Sequence, residues 1–169
     1  MSSQAPISQA RGELAALGLT AAVVLLADQV TKAMVIDAIG LGQQVKVLDD
    51  VLWLWHVQNQ GAAFSLFQGG QVLFYVVTVV AVGLLIYFQR AFRGRGLLLH
   101  VVLGMVAGGT LGNLLDRVRL GYVTDFISVG VGKLRWPTWN VADASLVIGI
   151  LALVVYLTFL DRPAAEASA

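Results

Sequence analysis

Four long apolar stretches dominate the sequence and leave few folds open to it. Each is close to the roughly 20 residues that an α-helix needs to cross a bilayer. They occupy residues 14–36, 71–88, 97–115 and 142–160. The composition agrees, since 58% of the residues are hydrophobic and only 12% are charged. We therefore predict an all-α polytopic membrane protein with four transmembrane helices, one domain over 1–169, and flexible tails at 1–12 and 162–169.

The two long connecting segments, 37–70 and 116–141, follow the first and third helices and should therefore face the same compartment. In the first of them, "QVKVL" and "VLWLWHV" are separated by two aspartates, which predicts a small β-hairpin. Trp53 and Trp55 share one face of the second strand. They either form a platform at the level of the lipid headgroups or pack within the hairpin's own core.

An even number of helices puts both termini on one side of the membrane. The compact turn at 90–96 carries three arginines, whereas the segment 116–141 mixes four cations with Asp116 and Asp125. The two sides therefore carry nearly equal positive charge. The turn at 90–96 contains only basic charges, which favours cytoplasmic termini. The net charge of +1 gives no reason to expect a nucleic-acid partner.

Ionisable groups inside membrane helices are costly, so each one is a functional hypothesis. Asp28 and Lys32 are four residues apart in "DQVTK", which predicts an ion pair on one helix face. Asn113, Asp116 and Arg117 also converge on one face, at the end of the third apolar stretch. Each group either belongs to an active site or only fastens a helix to its neighbours, and spacing leaves both interpretations open.

Two aspartates stand out beyond these groups. In "NVAD", Asn140 and Asp143 have the spacing of a capping box, which accounts for an acid at a helix start without any function. Asp125 lies in the apolar run "YVTDFISV" and needs a polar partner. If the two carboxyl groups meet, they share a proton, and one then serves as general base and the other as general acid in peptide hydrolysis.

Other chemistries fit the sequence less well. The absence of cysteine excludes thiolate nucleophiles and thiolate metal sites. His56 and His100 lack the spacing of a zinc-protease "HExxH" motif, and no serine has a "GxSxG" context. We expect neither metal nor cofactor. A presenilin-type protease calls for "GxGD", where this chain has "GVGK" at 130–133.

An alternative from another functional class is a small transporter or channel subunit, in which charges line a path through the membrane. That alternative predicts charges at every depth of the bilayer. Here most of them cluster near one face.

Five blocks of the sequence carry a resemblance to a known family. They are "DQVTK" (28–32), "QNQGAAFS" (from residue 58), "GGTLGNLLDR" (108–117), "YVTDF" (122–126) and "WNVADAS" (139–145). With these blocks in this order, the chain resembles the bacterial lipoprotein signal peptidases, also called signal peptidase II. Many relatives carry threonine in place of Gln60 and phenylalanine in place of Trp139, and neither difference touches a carboxylate.

The resemblance implies a multi-pass aspartic endopeptidase of the bacterial cytoplasmic membrane, with an extracytoplasmic β-cradle and active site and with cytoplasmic termini. Its substrate would be a diacylglyceryl-modified prolipoprotein in the membrane lipid, cut just before the lipidated cysteine. Its inhibitor would be the cyclic peptide globomycin. We expect a monomer. The catalytic pair falls on Asp125 and Asp143, and the residues that support the site or bind substrate fall on Asp28, Lys32, Asn59, Asn113, Asp116, Arg117 and Asn140.

Overall fold

Four helices and one small sheet make up the protein in a computed structural model, which describes residues 7–61, 71–132 and 134–160. The helices are α1 Ile7–Ala38, α2 Gln71–Ala91, α3 Leu97–Leu120 and α4 Val141–Val155, and a π-helical turn over Tyr156–Leu160 continues the last one. The strands are β1 Gln44–Leu48, β2 Leu52–Asn59, β3 Val123–Val131 and β4 Leu134–Arg135. All four helical segments are long and apolar enough to span a membrane, as the sequence predicted.

Helix α1 begins earlier than predicted. Residues 7–12, expected to be a flexible tail, are helical, and the predicted tail at 162–169 lies outside the described residues. The physical reason is Glu13, whose carboxylate accepts the N–H groups of Gly94 and Gly96 over 3.0 and 3.1 Å. Glu13 is buried, so these bonds fasten the first turns of α1 to the α2–α3 turn.

Helix α3 lies at the centre of the bundle, between α1 and α4. Gly104 and Gly108 face α1, and Gly109 faces α4. A Cβ atom on any of them would come within 2.7 Å of a backbone oxygen of the neighbouring helix. Gly104 and Gly108 thus form a glycine stripe that permits close packing of α3 against α1, and Gly109 permits close packing against α4. The helix also runs past its predicted end at 115, to Leu120, where Gly121 adopts a left-handed φ of 80°.

The predicted hairpin forms half of a larger antiparallel sheet with the order β1-β2-β3-β4. Strand β3 starts directly after α3 and pairs with β2, which places Asp125 opposite Val57 and Val123 opposite Asn59. Strands β3 and β4 lie in the segment that the sequence marked only as non-helical. The sheet rests on the bundle through a cluster in which Val35 of α1 and Ile39, which follows that helix, pack with Phe126 of β3.

The Trp53 ring packs within the sheet. The Arg135 guanidinium lies 3.9 Å from the ring centre, and the Lys46 ammonium lies 5.2 Å from it. The Trp53 indole N–H is donated to the carbonyl oxygen of Asp49 in the β1–β2 turn. For Trp53 these contacts favour packing inside the sheet over a platform for lipid headgroups.

Candidate active site

Asp125 is the third residue of β3, with its side chain directed into a polar cluster. Its two carboxylate oxygens accept hydrogen bonds from Asn140 Nδ2 at 2.7 Å and Asn59 Nδ2 at 2.8 Å. The residue is only 2% exposed. Burial raises the pKa of Asp125 to about 6, the hydrogen bond from Asn59 opposes that rise, and the nearby charge of Asp143 adds to it. Asp125 thus has the polar partners that its apolar sequence context required.

Asp143 lies in the first turn of α4 and forms the predicted capping box. The Asn140 side chain accepts the N–H of Asp143 at 3.0 Å, and one oxygen of Asp143 accepts the N–H of Asn140 at 3.2 Å. Its other oxygen accepts Asn113 Nδ2 at 2.7 Å. The capping interpretation is therefore confirmed, and a helix N-terminus also favours the negative charge of a carboxylate. Asp143 therefore caps α4 and also belongs to the polar cluster.

Asn140 joins the two aspartates. Its Nδ2 group is donated to Asp125, and its backbone N–H is donated to Asp143. The residue is fully buried, and its Nδ2 also lies 3.2 Å from Asn113 Oδ1. Because Asn140 contacts both carboxyl groups, strand β3 and helix α4 place Asp125 and Asp143 in the same polar cluster.

A buried ion-pair cluster lies behind these residues. Lys32 Nζ lies 2.8 Å from Asp28, 2.9 Å from Asp116 and 3.2 Å from Asn113 Oδ1. Three partners match the three protons of an ammonium group. Asp28 also accepts the N–H of Ala142 at 3.0 Å, so the cluster ties α1 to the start of α4. The ion pair predicted within "DQVTK" is present and extends to α3.

Asp116 and Arg117, which the sequence placed on one helix face, have separate partners. Asp116 pairs with Lys32 and accepts the N–H of Thr124 at 3.1 Å, next to Asp125 in the chain. The Arg117 guanidinium donates to the Asn113 carbonyl at 3.2 Å and lies 4.4 Å from the centre of the Phe74 ring. The acid therefore turns toward α1, where a buried ammonium neutralises it.

One residue of the cluster was missed by the sequence analysis. Gln29 Nε2 donates to Asp116 at 2.9 Å and to Asp28 at 3.2 Å. It donates to the oxygen of Asp116 that Lys32 does not contact. The available signal was its place beside Asp28 within "DQVTK", since a polar residue in a membrane helix needs an internal partner.

Two grooves are each lined by one of the two aspartates. A groove of about 400 Å³ ends at Asp143, and its other lining residues are Trp136, Trp139, Ala144, Val147 and Ile148. A second groove of about 340 Å³ ends at Asp125, and it is lined chiefly by Gln58, Asn59, Gln60, Pro137 and Thr138. The first is therefore predominantly apolar, and the second is more polar than the first, because amide and hydroxyl groups join the apolar atoms of its walls.

Comparisons with known proteins identify the family of the chain. The family model for signal peptidase (SPase) II matches residues 20–159. Proteins named Lipoprotein signal peptidase from Halothermothrix orenii and Bacillus velezensis are 39% and 38% identical to this chain, over 80% and 83% of it and 90% and 92% of their own lengths.

Solved structures show the same fold. Two structures described as bacterial membrane enzymes superpose with TM-scores of 0.73 and 0.75, at 27% and 29% identity. The matches cover 100% and 96% of this chain and 96% and 99% of the other chains. Similarity thus extends through the helices, the sheet and the segments that carry the polar cluster. The chain belongs to the signal peptidase II family, and it is a bacterial membrane protease.

Proposed function

We propose that the chain is an aspartic endopeptidase whose catalytic pair is Asp125 and Asp143. The observation that carries this proposal is the contact of buried Asn140 with both carboxyl groups, at 2.7 Å from its side chain and 3.2 Å from its backbone. The two grooves support it further, because each ends at one of the two acids. A peptide that occupies both grooves passes the pair.

The proposed reaction uses one proton held by the pair. The ionised carboxylate takes a proton from water as the water oxygen bonds to the peptide carbonyl carbon. The protonated partner donates a hydrogen bond to the developing oxyanion and then protonates the leaving nitrogen as the C–N bond breaks. A pKa of about 6 for Asp125 supports this division, because that carboxyl holds a proton at a much higher pH than an exposed aspartate does.

The surrounding polar residues would position the pair. Asn59, Asn113 and Asn140 donate to the carboxylates directly. Lys32 fixes the orientation of the Asn113 amide, because an ammonium beside Oδ1 leaves Nδ2 directed at Asp143. The ion-pair cluster of Asp28, Lys32 and Asp116 has a positioning role, as does Arg117, which donates to the backbone of Asn113.

The proposed substrate is a prolipoprotein whose cysteine carries a diacylglyceryl group, and the bond cut is the one before that cysteine. Membership of the signal peptidase II family and relatives named Lipoprotein signal peptidase support this substrate class. The apolar groove beside Asp143 also supports it, since acyl chains and signal peptides are apolar. Anchoring of the substrate in the same bilayer would raise its effective concentration near the pair.

The proposed site lies on the extracytoplasmic side of the bacterial cytoplasmic membrane, with both chain termini in the cytoplasm. Support comes from the α2–α3 turn, where Arg90 and Arg93 are exposed at the end of the bundle opposite the aspartates. Basic turns of this kind are enriched on the cytoplasmic side. The same proposal includes a monomer without a nucleic-acid partner, and inhibition by globomycin bound between the two acids. Transport is not favoured, because the family is a peptidase family.

The test is incubation of the purified protein with one prolipoprotein prepared with and without the diacylglyceryl group. The proposal predicts cleavage of the lipidated precursor only, with a new N-terminus at the modified cysteine. Equal cleavage of the two precursors would refute the proposed substrate class. Absence of cleavage of the lipidated form by a folded protein would refute the proposed activity.

A further inference from the structure

The groove lined by Asp125, called the polar groove below, exposes more polar surface than the groove lined by Asp143. Its walls are the end of β2 and the extended segment between β4 and α4. Gln58, Asn59 and Gln60 come from the first wall, and Thr138 comes from the second. These amides and this hydroxyl suit a hydrated or hydrogen-bonding ligand, whereas the indole rings and aliphatic side chains of the other groove suit an apolar one.

The two halves of a lipidated precursor differ in the same way. On one side of the scissile bond lies the signal peptide, which is apolar, and the acyl chains of the modified cysteine also remain in the bilayer. On the other side the mature polypeptide leaves the membrane and is polar. The polarity of the two grooves therefore assigns a direction to the bound chain across the pair.

We infer that the polar groove binds the first residues of the mature polypeptide after the modified cysteine, and that it selects against acidic side chains there. This inference rests on the proposed function. At about 340 Å³ the groove accommodates a short segment rather than a long peptide.

The selection follows from the charges that line the groove. Among the described residues that form it, Asp125 is the only charged one, and no lysine or arginine is present to offset it. A carboxylate on the substrate would lose much of its hydration and would be repelled by a like charge. A neutral amide of the same shape would lose less hydration and would not be repelled. Lys32 and Arg117 interact with the charge of Asp125, but neither lines the groove, and Lys32 is already paired with Asp28 and Asp116. A cation added at the rim should therefore reduce the discrimination.

The experiment compares two lipidated precursors that differ only in having aspartate or asparagine at the second and third positions after the cysteine. For the parent protein we expect kcat/KM to be about fivefold lower with the aspartate precursor. In Gln60→Lys that ratio should fall to about one. The matched control is Gln44→Lys, which makes the same change on exposed β1, outside the groove, and should retain the parent's ratio.

Thr138→Lys provides a second cation from the opposite wall and keeps the test valid if Gln60→Lys fails to fold. An equal kcat/KM for the two precursors in the parent protein would overturn the inference, as would a fivefold ratio that neither lysine changes. In both of those cases continued cleavage of lipidated precursors leaves the proposed function intact. Failure to cleave either precursor would overturn the proposed function and this inference together.

Discussion

Replacement of Asp125 by asparagine should abolish cleavage while changing how the stability of the protein depends on pH. The carboxyl of Asp125 is buried, and its pKa is raised from 3.8 to about 6. Below the lower value the group is protonated in both the folded and the unfolded states. Between the two values the unfolded chain loses the proton while the folded protein keeps it, so the parent protein loses stability as pH rises.

The size of the effect follows from the same values. A pKa raised from 3.8 to about 6 corresponds to about 3 kcal/mol of unfolding free energy. The whole loss is present above pH 6, where both states are ionised. Asparagine cannot titrate, so the variant does not suffer this loss. It does lose one hydrogen bond, because Asn59 and Asn140 both donate to the native carboxylate, but that cost is independent of pH.

The assay is thermal unfolding of both proteins in the same detergent between pH 4 and pH 8. We expect the unfolding free energy of Asp125→Asn, relative to the parent, to rise by about 2.5 kcal/mol across this range, because the rest of the loss lies below pH 4. Asp37→Asn is the control, since it removes an exposed carboxyl that is not part of the polar cluster. A difference between Asp125→Asn and the parent that stays constant with pH would refute the argument that burial destabilises the ionised Asp125.

Three further substitutions test the packing and the polar contacts. Lys32→Met leaves Asp28 and Asp116 buried without a cation, so the free energy of unfolding in detergent should fall by about 3–5 kcal/mol. Unchanged melting would contradict the buried ion pair. Gly112→Ala places a Cβ 2.6 Å from a buried carboxylate oxygen and should lower both melting temperature and activity, whereas Gly18→Ala, with open space around it, should lower neither. Asn140→Ala removes the α4 cap and the side-chain contact with Asp125 but keeps the backbone N–H that is donated to Asp143, so cleavage should fall more than the loss of about 1–2 kcal/mol expected for a cap alone would explain; full activity would exclude a positioning role.

Much of the fold could be predicted from local sequence. Apolar length predicted the four helices, and alternation with a two-aspartate turn predicted the β1–β2 hairpin, because both signals are local. The start of α1 could not be predicted this way. It depends on Glu13 receiving N–H groups from Gly94 and Gly96, which are distant in the chain. Strand β3 was also hidden, since its pairing with β2 is a long-range contact and its apolar run resembles many other segments.

Local sequence also predicted the candidate site only in part. Spacing within a helix predicted the ion pair of Asp28 and Lys32, and sequence context marked Asp125 as an acid in need of partners. Spacing placed Asp116 and Arg117 on one helix face, but it could not show which cation the buried acid reaches. Packing of α3 against α1 through the glycine stripe brings Lys32 within 2.9 Å of Asp116. Such contacts between helices require the tertiary structure.

The central claim is that Asp125 and Asp143 together perform the hydrolysis, and single-turnover cleavage of a lipidated precursor tests it most directly. The parent protein, Asp125→Asn and Asp143→Asn should be compared at equal concentration, with membrane insertion and melting measured in parallel. We expect both variants to insert and fold, and both to lose cleavage to background. Cleavage at the parent's rate by either folded variant would contradict the account.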